Sequence, residues 1–191
     1  MNFEKLKKVG KSFNSGSLNI LAIGGSLGAN EINHLLFNLV QHDFKFRLNV
    51  QLQTGLGNYV NWKNKVSNLE LEKNNIEAVA FIENMPLEYE RADIIISRSG
   101  ASSLSELEII GKPCFLIPYP HASDNHQYKN AQVFAGLVKM PVVTIRSKDA
   151  HNIKNWITQM ERVYTLLEEN DGIRAQNDLI NPLDLIYKEI I

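Results

Sequence analysis

The sequence has one cysteine, almost no net charge and no long hydrophobic run, and each absence excludes a class of protein. Cys114 stands alone among 191 residues, which excludes an internal disulfide and a cysteine-based zinc site. Twenty basic residues balance twenty-one acidic ones, so the net charge of −1 favours no nucleic-acid partner. Unbroken apolar runs reach about five residues, too few to cross a bilayer, and none follows the N-terminal lysines as in a secretory signal. We therefore expect a cytoplasmic protein.

The rest of the composition, 44% hydrophobic and 21% charged, is typical of a globular protein with one core. Short apolar runs predict strands at residues 18–23, 46–52, 76–82, 94–96, 113–117 and 142–145. Amphipathic stretches between and after them predict helices at residues 32–40 and 59–73, through Tyr89, and at residues 104–110, 127–138 and 153–164, with a terminal helix after Asn181-Pro182. This alternation predicts an α/β protein: a Rossmann-like parallel sheet with helices on both faces. We expect a linker over residues 1–17 and one domain over residues 18–191.

Ligands of an open parallel sheet bind at the carboxyl ends of its strands, and three loops of unusual composition have that position. The first, residues 24–29, reads Gly-Gly-Ser-Leu-Gly-Ala. Its glycines let backbone N–H groups approach an anion at a helix N-terminus, and Ser26 offers a hydroxyl to a phosphate oxygen. The alternative is a tight turn whose glycines serve packing only. The loop is not a P-loop, because no Gly-Lys-Ser or Gly-Lys-Thr follows it.

The second loop, residues 97–106, reads Ser-Arg-Ser-Gly-Ala-Ser-Ser-Leu-Ser-Glu. Small polar residues at a helix start leave backbone N–H groups directed outward. Glu106 lies close enough to that start to accept hydrogen bonds from vicinal hydroxyls such as those of ribose. The alternative interpretation is a capping box, with Ser103 as the N-cap and Glu106 at N3.

The third loop, residues 118–130, is rich in histidine and amide side chains that can bind sugar hydroxyls. One alternative is a metal site formed by His121, Asp124 and His126. Another is a solvated loop in which Asp124 is the N-cap of the next helix. Cys114 is not indicated as a nucleophile, because it falls inside an apolar strand.

Taken in order, residues 24–29, 81–85, 97–106 and 120–131 resemble the C-terminal, nucleotide-sugar-binding domain of the MurG family. The resemblance covers residues 18–131 and, more loosely, the rest of the chain. It implies one half of a GT-B glycosyltransferase. The family transfers N-acetylglucosamine (GlcNAc) from UDP-GlcNAc to undecaprenyl-pyrophosphoryl-MurNAc-pentapeptide, and so converts lipid I to lipid II for peptidoglycan.

The same resemblance implies a role for each matching residue. Ser26 lies near the diphosphate, Ile82 holds the uracil edge through its main-chain N–H and C=O, and Glu106 binds the ribose hydroxyls. The remaining contacts are diphosphate contacts from helix N-terminal amides at Ala101, Ser102, Ser103 and Leu104, and GlcNAc contacts from Gln127 with His126 beside it. Secondary candidates in the same loops are Gly25, Gly28, Ser99, Gly100, His121, Asp124 and Asn130. No catalytic residue, metal or other cofactor is implied for this chain.

The chain also departs from the family pattern. A complete member is nearly twice as long and has an N-terminal acceptor domain, which we expect to be absent here. The family has an arginine in an Asn-Pro-x-Arg-like linker, whereas residues 9–13 read Val-Gly-Lys-Ser-Phe. We therefore expect a domain that binds UDP-GlcNAc but is inactive alone, and that meets lipid I through a missing acceptor domain or a partner subunit. Within a full enzyme it would work at the cytoplasmic face of the inner membrane, with only indirect membrane contact.

Two other functions remain open. One is the donor subunit of a split GlcNAc transferase with a membrane-bound partner, similar to the eukaryotic dolichol-linked enzyme. The other is a non-catalytic remnant that binds a nucleotide or only a protein partner. An apolar stripe on the terminal helix predicts an exposed face for self-association or docking; it comprises Leu183, Ile186, Tyr187, Ile190 and Ile191.

Overall fold

Residues 13–25, 28–122, 125–146 and 149–169 are described by a computed structural model, in which strands and helices alternate. The elements are β1 (Ser17–Ile23), α1 (Asn30–Leu39), β2 (Arg47–Gln53), α2 (Tyr59–Ser67), β3 (Asn75–Val79), α3 (Met85–Arg91), β4 (Ile94–Ser97), α4 (Ala101–Ile110), β5 (Cys114–Leu116), α5 (His126–Leu137), β6 (Val142–Thr144) and α6 (Ile153–Glu169). Every strand pairs in parallel with its neighbours, in the order β3-β2-β1-β4-β5-β6. The predicted Rossmann-like sheet is confirmed.

The two faces of the sheet bury two separate apolar clusters. Along β1, Ile20 packs on the face covered by α1 and α6, and Leu21 packs on the face covered by α3, α4 and α5. β4 supplies both clusters, because Ile94 and Ile96 point to one face and Ile95 to the other, and all three are fully buried. Each such side chain stabilises the fold by about 1.5–3 kcal/mol through burial. The expectation of a strand buried on both sides is confirmed.

Two elements end earlier than predicted. α2 ends at Ser67 instead of continuing to residue 73. The chain after it is held by Asn74, whose Oδ1 accepts from the Leu48 N–H at 2.9 Å and whose Nδ2 donates to the Val40 carbonyl at 2.8 Å. β3 then ends at Val79, three residues before the predicted end. Residues 80–82 therefore lie beyond the end of the strand.

Phe13 and Gly16, just before β1, contact α6. β1 begins at Ser17, one residue inside the predicted linker. Just before it, the Phe13 ring packs edge-on against Tyr164 at 5.4 Å, and the Gly16 N–H donates to the Tyr164 hydroxyl at 2.7 Å. The predicted terminal helix and its apolar stripe lie outside the described residues. Among the helices that are described, none combines the length and apolarity needed to span a membrane.

Candidate functional site

The strands end side by side, which brings the loops after them together. The register aligns five residues in one row across the sheet: Leu116, Ser97, Ile23, Gln53 and Val79. Each of the five is the last residue of its strand. Because all strands run the same way, the three loops chosen from composition, and the segment that contains Ile82, leave the sheet at this one edge.

The β1–α1 loop is a tight glycine turn pressed against the end of β2. Gly25 and Gly28 have positive φ angles of 80° and 75°, and the Gly28 N–H donates to the Gly25 carbonyl at 3.0 Å. A Cβ on Gly28 would lie 1.9 Å from the Thr54 carbonyl oxygen, so only glycine fits there. Ser26 lies outside the described residues. Gly28 thus has the packing role that the alternative interpretation gave it, and anion binding by this loop stays a prediction.

α4 begins directly after Gly100, so the capping-box interpretation is wrong. Gly100 is the N-cap, and Ser103 is the third helical residue instead of the cap. The helix starts early because the buried Ser99 hydroxyl donates to the Gln127 carbonyl at 2.8 Å and holds the chain ahead of Gly100.

The start of α4 leaves backbone donors directed away from the helix. The Leu104 N–H donates to the Gly100 carbonyl at 3.0 Å, so this predicted diphosphate contact is already used inside the helix. The N–H groups of Ala101, Ser102 and Ser103 precede it, and helix geometry gives them no intrahelical acceptor. Gly100 has no side chain with which to cap them. Three amides at a positive helix end are suited to an anion.

Glu106 is held by a tyrosine from another helix. It lies in the second turn of α4, half-buried, and its Oε2 accepts from the Tyr89 hydroxyl of α3 at 2.8 Å. Burial raises the pKa of Tyr89 above its ordinary value, and the hydrogen bond to Glu106 and its nearby charge raise it further. Tyr89 is therefore a neutral donor at physiological pH. A carboxylate accepts several hydrogen bonds, so Oε1 is suited to a diol while Oε2 holds the tyrosine.

The β5–α5 loop is tied to its neighbours through Gln127. α5 begins at His126 after Asn125, whose φ is 54°; Asn125 is the N-cap, and the interpretation of Asp124 as the cap is wrong. The helix therefore starts one residue earlier than predicted, so His126 and Gln127 share its first turn. The Gln127 Oε1 accepts from the Tyr119 N–H at 2.9 Å. His126 is exposed at the helix start and Asn130, one turn further on, is half-buried.

Within the described residues, neither a metal cluster nor the cavity between β1, β2 and α3 coincides with the predicted site. No group of three or more potential side-chain ligands is placed to hold a metal in the described ranges. His121 is exposed and packs edge-on against Tyr119, and Asp124, the middle residue of the alternative metal site, lies outside those ranges. A cavity of about 200 Å³ lies between β1, β2 and α3 and contains none of the predicted site residues; Asn19, Asn49, Gln51 and Arg91 are among those that line it.

Two residues at this edge of the sheet, Arg98 and Gln53, were not among the predicted site residues. Arg98 donates to Glu31 of α1 at 2.5 Å and to the Ile117 and Pro118 carbonyls at 3.1 and 3.3 Å, so it joins three of the converging segments. Gln53 accepts from the Ile82 N–H at 3.1 Å, the same N–H that the resemblance assigns to uracil. Arg98 lay within a motif that composition had singled out, whereas the only signal for Gln53 was a polar residue at the end of an apolar strand.

Residues 19–178 match the family model described as the glycosyltransferase family 28 C-terminal domain. The UDP-N-acetylglucosamine–N-acetylmuramyl-(pentapeptide) pyrophosphoryl-undecaprenol N-acetylglucosamine transferase of Shewanella woodyi is 41% identical over 135 residues, which are 68% of this chain and 37% of that protein. The protein of the same name from Flavobacterium psychrophilum is 45% identical over 115 residues, 59% of this chain and 29% of that one. The chain thus spans about a third of the length of these curated relatives.

Solved structures show the same fold. MurG of Acinetobacter baumannii superposes with a TM-score of 0.69 at 24% identity, and the match covers 91% of this chain and 49% of that one. A UDP-GlcNAc 2-epimerase from Neisseria meningitidis, solved with UDP-GlcNAc bound, superposes with a TM-score of 0.51 at 18% identity and covers 84% of this chain and 40% of that one. These likenesses place the sheet and its helices in the GT-B type of architecture.

Proposed function

Because the chain belongs to the glycosyltransferase family 28 C-terminal domain family, we propose that it is the donor-binding part of a hexosyltransferase. The donor is UDP-GlcNAc and the acceptor is undecaprenyl-pyrophosphoryl-MurNAc-pentapeptide, the substrates in the names of its relatives. The observation that carries the proposal is the single row of strand ends from Leu116 to Val79. It brings an anion-binding helix start, a carboxylate and an amide-rich loop to one edge of the sheet, as a nucleotide sugar requires.

The diphosphate binds at the start of α4. The amides of Ala101, Ser102 and Ser103 donate to its oxygens, and the positive end of the helix dipole offsets their charge. We propose that the Ser26 hydroxyl also donates to a diphosphate oxygen. These donors neutralise enough charge that we propose binding without a divalent metal.

The nucleoside lies between α4 and the segment after β3. Glu106, oriented by Tyr89, accepts hydrogen bonds from the two ribose hydroxyls through Oε1. The uracil edge meets the backbone at Ile82, whose side chain is buried. Because the Ile82 N–H already donates to the Gln53 side chain, the Ile82 C=O is the group that accepts from the uracil N–H.

The sugar lies against the first turn of α5. Because the Gln127 Oε1 already accepts from the Tyr119 N–H, its Nε2 is the group that donates to a GlcNAc hydroxyl. The adjacent His126 is exposed at the helix start. We propose that an acceptor approaches the anomeric carbon at this edge of the sheet.

The acceptor and the base that deprotonates its hydroxyl belong to another domain or subunit. Inverting transfer needs the two substrates held in line across a cleft with a base beside the acceptor hydroxyl. The groups proposed above all serve the donor. Since the named acceptor is a lipid-linked sugar, we propose that transfer takes place at the cytoplasmic face of the inner membrane, with the lipid held by the acceptor side.

The test is GlcNAc transfer from UDP-GlcNAc to a lipid I analogue by the 191-residue chain, with and without the acceptor domain of a relative. The proposal predicts donor binding in both cases and turnover only when the acceptor domain is supplied. Robust turnover by the 191-residue chain alone would contradict the proposal that the acceptor site and the base belong to another domain or subunit. Donor binding without turnover in either case favours a non-catalytic role.

A further inference from the structure

Gln53, the last residue of β2, joins the loops on both sides of it. Its Oε1 accepts from the Ile82 N–H at 3.1 Å, and its Nε2 donates to the Gly25 carbonyl at 3.3 Å. The residue is 3% exposed. A carboxamide supplies an acceptor and a donor on one rigid plane, so a single buried side chain connects the glycine turn after β1 to the segment after β3.

Thr54 connects the same two segments at the next residue. Its backbone N–H and its Oγ1 donate to the Val79 carbonyl, at 2.9 and 3.0 Å. Its own carbonyl lies where a Cβ on Gly28 would clash, so the glycine turn is in close contact with it. Gln53 and Thr54 thus link the glycine turn after β1 to the segment after β3. Each of these two segments contains one predicted contact to the donor.

We infer that Gln53 is a positioning residue of the donor site, an inference that rests on the proposed function. The glycine turn serves the diphosphate end of the donor, and the Ile82 backbone serves the pyrimidine end. By bonding to both, Gln53 sets the separation between them and holds the Ile82 backbone in place. Because Gln53 occupies the Ile82 N–H, the group left for the pyrimidine is the Ile82 carbonyl. A preorganised site avoids the cost of ordering these segments on binding.

A positioning role and a merely structural role predict different results for Gln53→Met, which keeps the side-chain length but removes both hydrogen bonds. A structural role lowers the thermal midpoint and leaves the affinity of the folded protein unchanged. A positioning role lowers that affinity as well. Gln51→Met is the matched control, because Gln51 has the same side chain on the same strand and face, two residues earlier.

The experiment combines calorimetric titration with UDP-GlcNAc, well below each thermal midpoint, and amide hydrogen exchange at Ile82 without nucleotide. In Gln53→Met we expect affinity to fall about tenfold and the Ile82 amide to exchange about tenfold faster, as for the loss of a net hydrogen bond. In Gln51→Met both quantities stay within about twofold of the parent. Gln53→Asn, whose carboxamide is one methylene too short to reach both partners, serves as a second variant and loses affinity to a similar degree.

Three outcomes overturn the inference. If Gln53→Met or Gln53→Asn binds UDP-GlcNAc as tightly as the parent does, the hydrogen bonds of Gln53 have no role in binding. Equal losses in Gln53→Met and Gln51→Met show a general effect of substitution in β2. If the parent chain itself does not bind UDP-GlcNAc, the proposed function fails and this inference fails with it. In the first two outcomes the parent chain still binds UDP-GlcNAc, so they overturn this inference alone.

Discussion

Tyr89 of α3 and Glu106 of α4 meet through one hydrogen bond, 2.8 Å from the tyrosine hydroxyl to Oε2 of the carboxylate. The tyrosine is buried while the glutamate is half-buried at the sheet edge. The bond therefore runs from the core outward and fixes one oxygen of the carboxylate in the second turn of α4. In the proposed donor site this fixes the group that binds ribose before the nucleotide is present.

Removal of the Glu106 carboxylate tests its ribose role. We expect Glu106→Ala to weaken UDP binding by about 1.5–3 kcal/mol, because a hydrogen bond to a charged group is lost. Glu108→Ala is the control, since Glu108 is exposed on the same helix. Calorimetric titration measures the affinity and thermal unfolding the stability. A variant that loses stability but keeps its affinity for UDP would show that Glu106 serves only the fold.

Tyr89→Phe isolates the hydroxyl that orients Glu106. We expect about 1 kcal/mol less stability at pH 8 and a smaller loss of UDP affinity than for Glu106→Ala, because the carboxylate remains but is less well held.

The pH dependence of the same variant has a definite sign. The pKa of Tyr89 is raised in the folded protein from its ordinary value of 10.0, so the folded state binds this proton more tightly than the unfolded state. The resulting stability is fully present below pH 10 and is lost as pH rises beyond it. Urea denaturation from pH 8 to 11 should show the stability difference between parent and Tyr89→Phe shrinking above pH 10. A difference that stays constant would contradict the raised pKa.

Cys114 should be unreactive in the folded protein. Complete burial in β5 raises the pKa of its thiol well above the ordinary value, so the reactive thiolate is scarce and the sulfur is inaccessible. With a thiol-specific chromogenic disulfide at pH 8, we expect negligible reaction before unfolding and one equivalent after denaturation. Rapid stoichiometric reaction of the native protein would show that β5 is not buried in solution.

The two glycines of the β1–α1 turn should tolerate alanine very differently. Gly25→Ala places a Cβ in open space and costs about 1–2 kcal/mol for its left-handed backbone alone. Gly28→Ala adds a clash with the Thr54 carbonyl, so the turn must move and both stability and donor affinity fall further. Thermal unfolding and UDP titration of the two variants provide the comparison. Equal effects would show that the turn does not press against β2.

Much of the fold was predictable because burial determines sequence pattern directly. Residues 94–96 form an unbroken isoleucine run since β4 is covered on both faces, and Gly111, with a φ of 67°, ends α4 where the sequence predicted. The three candidate loops could be singled out by composition, and their convergence follows from a parallel sheet whose strands end in one row. The capping-box prediction failed because Ser99 bonds to a distant carbonyl, which a local four-residue pattern does not encode.

The contacts that organise the site were not predictable from local pattern. Tyr89 and Glu106 are 17 residues apart, Gln53 and Ile82 are 29 apart, and Glu31 and Arg98 are 67 apart. Each pair joins different elements, so it forms only when the sheet order places those elements next to each other. From residue type alone, these polar side chains cannot be distinguished from ordinary polar residues of a strand, a helix or a loop.

The central claim, that this chain binds a nucleotide sugar without a metal, is tested most directly by calorimetric titration of the 191-residue protein with UDP-GlcNAc in the presence of a chelator. The α4 amides and Glu106 predict saturable binding of one equivalent, competed by UDP and unchanged when Mg²⁺ or Mn²⁺ replaces the chelator. Absence of binding, or binding that appears only with the divalent cation, would contradict the account.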